Sequence, residues 1–85
     1  MANFDSIHNY YERLVIEEIE DHYEDKNLTD EQLADLACIA LNHLPPRYIR
    51  HDIDMSFYLS PEEWKETHHR VKKAVEAGFK MLKNS

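Results

Sequence analysis

Glycine occurs once in the 85 residues, at Gly78, and cysteine once, at Cys38. A single glycine excludes a glycine-rich loop cradling phosphates. A single cysteine excludes a disulfide within the chain and any zinc site built on paired cysteines. Cys38 stands between Ala37 and Ile39, which reads as a reduced, small core residue in a cytoplasmic setting. Basic charge is also scarce: ten Lys and Arg face seventeen Asp and Glu, a net charge of −7. Phosphate neutralisation dominates nucleic-acid affinity, so general DNA or RNA binding is not expected. A local arginine pocket for one small phosphorylated ligand stays open. No apolar run approaches the roughly 18–20 residues of a membrane span, and no secretory leader pattern is visible. Repeats and low-complexity segments are missing as well.

Chemistry of other kinds also lacks its parts. No serine stands in a G-x-S-x-G setting, and Cys38 falls inside a helical pattern, so the chain is not expected to be an enzyme. The six histidines, His8, His22, His43, His51, His68 and His69, show no HExxH or comparable ligand spacing. His51, Asp52 and Asp54 could supply ligands, but adjacent residues of an extended segment point to opposite faces. No metal site and no cofactor are expected. Glu17, Glu18, Glu20 and Asp21 read as a solvated helix face.

What is present reads as one small domain, residues 1–85. A domain of this size buries only about 60–65% of its unfolded surface, and such scaffolds often gain stability from a partner chain. Helix A is expected from about Phe4 to Tyr23, capped by Asn3 or Asp5. Placed at 100° steps, its apolar residues spread over roughly 240° of the circumference. A helix packed once against a core needs an apolar stripe of little more than ~100°. The surplus predicts a homodimer through this first helix, in line with the prevalence of symmetric dimers.

Helix B is expected from about Asp30 to His43, opened by a Thr29–Gln32 capping box. Apolar groups nearly surround it, which predicts a central, buried helix. Pro45 and Pro46 end it, since neither donates a backbone hydrogen bond. Residues 47–59 then alternate, with Ile49, Ile53, Met55, Phe57 and Leu59 on one side, as a half-buried extended arm does. No ladder partner for it is evident within the chain. Ser60 caps helix C, Pro61 occupies its first turn and Glu63 completes a capping box. Trp64, His68, Val71, Val75, Phe79 and Leu82 mark one face, with His68 partly buried, His69 solvated and Gly78 at the border. Glycine inside a helix costs about 1 kcal/mol against alanine, and close approach of another helix is the expected compensation. The fold class is therefore all-α: three helices, with an extended crossing arm between the second and third, assembled as a homodimer.

One segment, "RYIRH" at residues 47–51, carries chemistry. Arg47 follows a stiff diproline, and its guanidinium can grip a phosphate or carboxylate bidentately. Tyr48 can stack on a base or donate its hydroxyl. Arg50 and His51 add donors. The plainer alternative is that Arg47 pairs with the acidic helices and Tyr48 enters the core.

The longer string "DLACIALNHLPPRYIRHDIDMSFYL" resembles the signature of the late-competence ComFB family, A-L-N-x-L-P-P-x-Y followed by Val or Ile. Asp35, Ala40, Leu41, Asn42, Leu44, Pro45, Pro46, Tyr48 and Ile49 match it. The opening "IHNYYERLVIEEI" is similar to the family's first helix, and the likeness covers about residues 7–82. The resemblance implies a small, helical, dimeric bacterial regulator. Cyanobacterial members are similar to receptors for cyclic di-GMP or cyclic di-AMP, linked to competence or surface behaviour. Two phosphates would suit arginine, two purines would suit stacking, and a two-fold ligand would suit a dimer. The ligand-binding residues expected are Arg47 and Tyr48, then Arg50, Asn42 and Tyr10; the alternative for Asn42 is a hydrogen bond at the end of helix B, and for Tyr10 a place at the interface. Members from spore-forming bacteria carry a zinc-binding cysteine cluster between the first two helices; "YEDKNLTDEQLAD" here has none, so zinc is not carried over. The alternative is a dimeric adaptor that binds another protein without a small ligand. A transition-metal binder acting through histidines ranks third.

Overall fold

Short polar side chains set where each helix of this protein begins. In the computed structural model, which describes residues 4–50 and 59–84, Thr29 precedes a helix at Asp30–Asn42 and forms the full capping box with Gln32. Thr29 Oγ1 accepts from the Gln32 N–H at 3.1 Å, and Gln32 Oε1 accepts from the Thr29 N–H at 2.9 Å. Ser60 Oγ likewise accepts from the Glu63 N–H at 3.1 Å at the head of a helix over Pro61–Lys83. In chain order the elements are a 3-10 turn at Phe4–Ser6, strand β1 at His8–Asn9, helix α1 at Tyr10–His22, helix α2 at Asp30–Asn42, strand β2 at Tyr48–Ile49 and helix α3 at Pro61–Lys83. The mostly α architecture of three helices matches the expectation.

The first helix begins later than its apolar pattern predicts. Its cap is Asn9, not Asn3 or Asp5: Asn9 is extended, and its side chain accepts from the Tyr11 N–H. Phe4 and Ile7 fall outside the helix and are exposed. The physical reason is non-local. β1 pairs antiparallel with β2, His8 opposite Ile49 and Asn9 opposite Tyr48. A helix continued through His8 and Asn9 would forfeit these bonds. The expectation that the extended segment lacks a partner within the chain is therefore corrected. Of the arm expected over residues 47–59, residues 51–58 lie outside the described residues.

The core is a three-way junction. Tyr11, Val15, Ile19 and Tyr23, each four positions apart, bury one narrow face of α1 and its C-cap. Leu36, Ala40 and Leu44 come from α2 and its end, and Val71, Ala74 and Val75 from α3. The Tyr23 and Phe79 rings meet at 5.2 Å with a 58° tilt. α2 is central but not surrounded, since Ala34, Asp35, Cys38 and Asn42 are exposed. Cys38 is thus a surface thiol and not the core residue expected. It lies two positions from both Leu36 and Ala40, on the far side of a 3.6-residue turn from the buried stripe.

α3 is also rotated from the face its large residues suggest. Its buried positions are Thr67, Val71, Ala74, Val75 and Gly78, while Trp64 is half exposed. The small residues let α2 approach. A Cβ placed on Gly78 would lie 3.1 Å from Leu36 Cδ1 and 3.3 Å from Ile39 Cγ2. The expected close approach of another helix is present, with Gly78 at its centre and not at its border. Trp64 stacks on His68 at 3.8 Å between ring centroids, and His68 Nδ1 lies 2.9 Å from the Trp64 carbonyl oxygen.

Candidate functional site

α2 stops at the diproline because its last amides are already spent. The His43 N–H bonds to the Ala40 and Leu41 carbonyls, and the Leu44 N–H to the Leu41 carbonyl at 3.2 Å. Pro45 and Pro46 offer no N–H to continue. The chain emerges extended and runs up beside the start of α1. There the Tyr10 N–H donates to the Arg47 carbonyl at 2.7 Å. The Arg47 N–H in turn donates to Asn9 Oδ1 at 3.1 Å. The same oxygen accepts from the Tyr11 N–H at 3.2 Å. One side-chain oxygen therefore starts a helix and holds a residue 38 positions away in sequence.

This clamp fixes the backbone of Arg47 at both its peptide groups and leaves its side chain exposed. Among the described residues no carboxylate pairs with its guanidinium. Tyr48, next along, is 69% exposed, so it does not enter the core. Arg50 follows at an exposed bend. The tip of α1 adds a partial positive charge, which favours an anion. An exposed guanidinium and an exposed phenol ring thus stand on adjacent residues of the ribbon, which direct them to opposite sides of one edge, and a phosphorylated ligand carrying a planar base would meet both by wrapping that edge.

The five residues singled out from the sequence separate into two groups. Tyr10, Arg47 and Tyr48 sit where the ribbon meets α1, and Arg50 follows at the other end of β2. Tyr10 is half-buried as the first residue of the helix. Asn42 is exposed in the last turn of α2, and among the described residues no hydrogen bond joins it to Arg47 or Tyr48. Asn9 went unnoticed because 100° spacing assigns it to the polar side of a longer helix. Its signal was available: Asn is among the strongest helix caps, and it directly precedes the run that forms α1. Among the described residues no three His, Cys, Asp or Glu side chains group as a metal would need. Nor is any helix there long and apolar enough to cross a membrane.

These features define a small helical domain whose diproline segment is tied back onto its first helix. The chain belongs to the ComFB family, late competence development protein ComFB, whose sequence model matches residues 8–85. Membership places it among competence-related regulatory proteins. No curated protein and no solved structure shows a significant match to the chain.

Proposed function

We propose that this protein is a non-enzymatic, cytoplasmic, homodimeric regulator that senses a cyclic dinucleotide, cyclic di-GMP or cyclic di-AMP, at the Arg47–Tyr48 edge. The observation that carries the reading is the backbone clamp. Arg47 is held by Tyr10 and Asn9 while its guanidinium stays exposed beside the exposed Tyr48. Holding the backbone lowers the ordering cost of a bidentate phosphate contact. Arg47 takes a phosphate, Tyr48 stacks on a purine, and Arg50 and Tyr10 flank them. Asn42 takes part only if the ligand reaches the end of α2.

The dimer reading rests on apolar surface left over on α1. Ile16 is 49% exposed and opens onto an apolar cleft with Ile19, Leu33, Ala34 and Ala37. A two-fold pairing through α1 would cover it. The same cleft, rimmed by Glu20 and Glu24, favours the second reading, an adaptor that receives another protein there and binds no nucleotide.

Calorimetric titration with each cyclic dinucleotide tests the first reading. Micromolar binding that falls at least tenfold in Arg47→Ala is expected, the scale of a lost charge-assisted contact. Absence of binding by both nucleotides leaves the adaptor reading, and binding that survives Arg47→Ala puts the site elsewhere.

A further inference from the structure

A cleft of about 430 Å³ lies between the end of α2 and the middle of α3, and its lining shares no residue with those assigned above. Leu44, Pro45, Ala74 and Ala77 make its apolar part, and His43, His69, Arg70 and Lys73 complete its lining. We propose that this cleft is a second binding site, for a small organic anion with an oxyanion head, carboxylate or phosphate, on an apolar body.

The lining is unusual for so acidic a chain. Seventeen carboxylate side chains outnumber ten Lys and Arg, yet among the described residues none lines this cleft. The clefts beside Arg13, beside Ala37 and beside Lys72 each include two or more glutamates. Size fits as well, since small-molecule sites run to roughly 300–1,000 Å³ with an apolar lining and a few placed polar groups.

The cationic groups are partly pre-set. Tyr11 on α1 and Glu66 both favour the charged guanidinium of Arg70 and raise its pKa. Glu66 Oε1 lies 2.8 Å from Arg70 Nη2 but outside the cleft lining. An exposed pair of this kind is weak and leaves other guanidinium N–H groups for a ligand. His43 Nδ1 lies 2.8 Å from the Ile39 carbonyl oxygen. That contact orients the ring and leaves Nε2 as the second nitrogen. Leu44 and Ala74 are buried and form a fixed apolar floor. An oxyanion between Arg70 and Lys73 would lay its apolar body against that floor.

The test is an amide NMR titration of the full chain with phenyl phosphate and, separately, benzoate. Saturable shifts are expected at His43, Leu44 and residues 69–77 with at least one of the two probes. Lys73→Gln, at an exposed position away from the core, is expected to weaken that binding about tenfold. Arg70→Gln should weaken it further, and its unchanged amide dispersion would separate lost binding from lost folding. No saturable shifts with either probe at 10 millimolar, on the order of weak-ligand conditions, would overturn the proposal. So would unchanged affinity in Lys73→Gln, or shifts that vanish in Arg47→Ala, which would put the anion at the other edge.

Discussion

Asn9 offers the sharpest test of how this fold presents Arg47. Replacing it with alanine removes one oxygen and two hydrogen bonds, to the Tyr11 and Arg47 amides. Losing a helix cap costs about 1 kcal/mol. Losing the Arg47 bond costs about 0.5–1 kcal/mol, since water partly replaces it at this exposed position. The sum is about 1.5–2 kcal/mol, which for a domain of this size lowers Tm by roughly 6–16 °C. Asn9→Asp keeps the acceptor and adds a charge suited to the head of α1, so it should match the parent. Asn9→Ser keeps the cap but is too short to reach Arg47, so it should lose only the smaller share. Urea unfolding followed by circular dichroism, at one fixed protein concentration, reads all three. If Asn9→Ala falls within about 0.5 kcal/mol of the parent, the clamp does not hold the diproline segment and the reasoning fails. If Ser and Ala are equally unstable while Asp is normal, the shared oxygen matters as a unit and not as two separable bonds.

Three further outcomes follow from the packing. Gly78→Ala gains about 1 kcal/mol of helix propensity but crowds Leu36, which is fully buried and has nowhere to retreat. Overpacking costs roughly 1–3 kcal/mol, so a net loss of about 1 kcal/mol is expected in the same unfolding assay; a more stable variant would refute it. Burial first, then Glu76 and Glu18, push the Tyr23 phenol above its ordinary value of 10.0. The folded state therefore keeps its proton longer than the unfolded state, and this contribution is whole below pH 10 and lost as pH climbs through the higher folded value. Thermal melts of Tyr23→Phe should show a shallower alkaline decline than the parent, and parallel curves would contradict this. Ile16→Glu, at a half-exposed position, should leave helicity intact and yield a monomer in sedimentation at micromolar concentration; a persistent dimer would remove α1 from the interface.

Local signals were legible wherever the physics is local. Thr29, Gln32, Ser60 and Pro61 announce their helix starts within four residues, and the structure uses them so. Two prolines stop α2 for a reason written in their chemistry. The start of α1 was harder to place, because the apolar pattern runs on past the local cap signal of Asn9. Phe4 and Ile7 extend an apolar period of 3.6, and the pairing that overrules it comes from Tyr48 and Ile49, far along the chain. Cys38 and Trp64 show a related limit. Apolar character places a residue somewhere near a core, but small partners at Ala74 and Gly78 decide which face α2 and α3 share. The Arg47–Tyr48 edge was visible as chemistry, while its exposure and the oxygen that anchors it required the fold.

The two-residue ribbon also makes the chain unevenly tolerant of length changes. Strand neighbours alternate sides, so one residue inserted between Leu44 and Arg47 would swap the directions of Tyr48 and Ile49. The same insertion in the polar stretch 24–27, where Asn27 already adopts a left-handed backbone at φ 59, only lengthens a surface bend. Drift in the spacing between α1 and α2 is therefore cheap for this protein, whereas the distance from Leu44 to Tyr48 is locked.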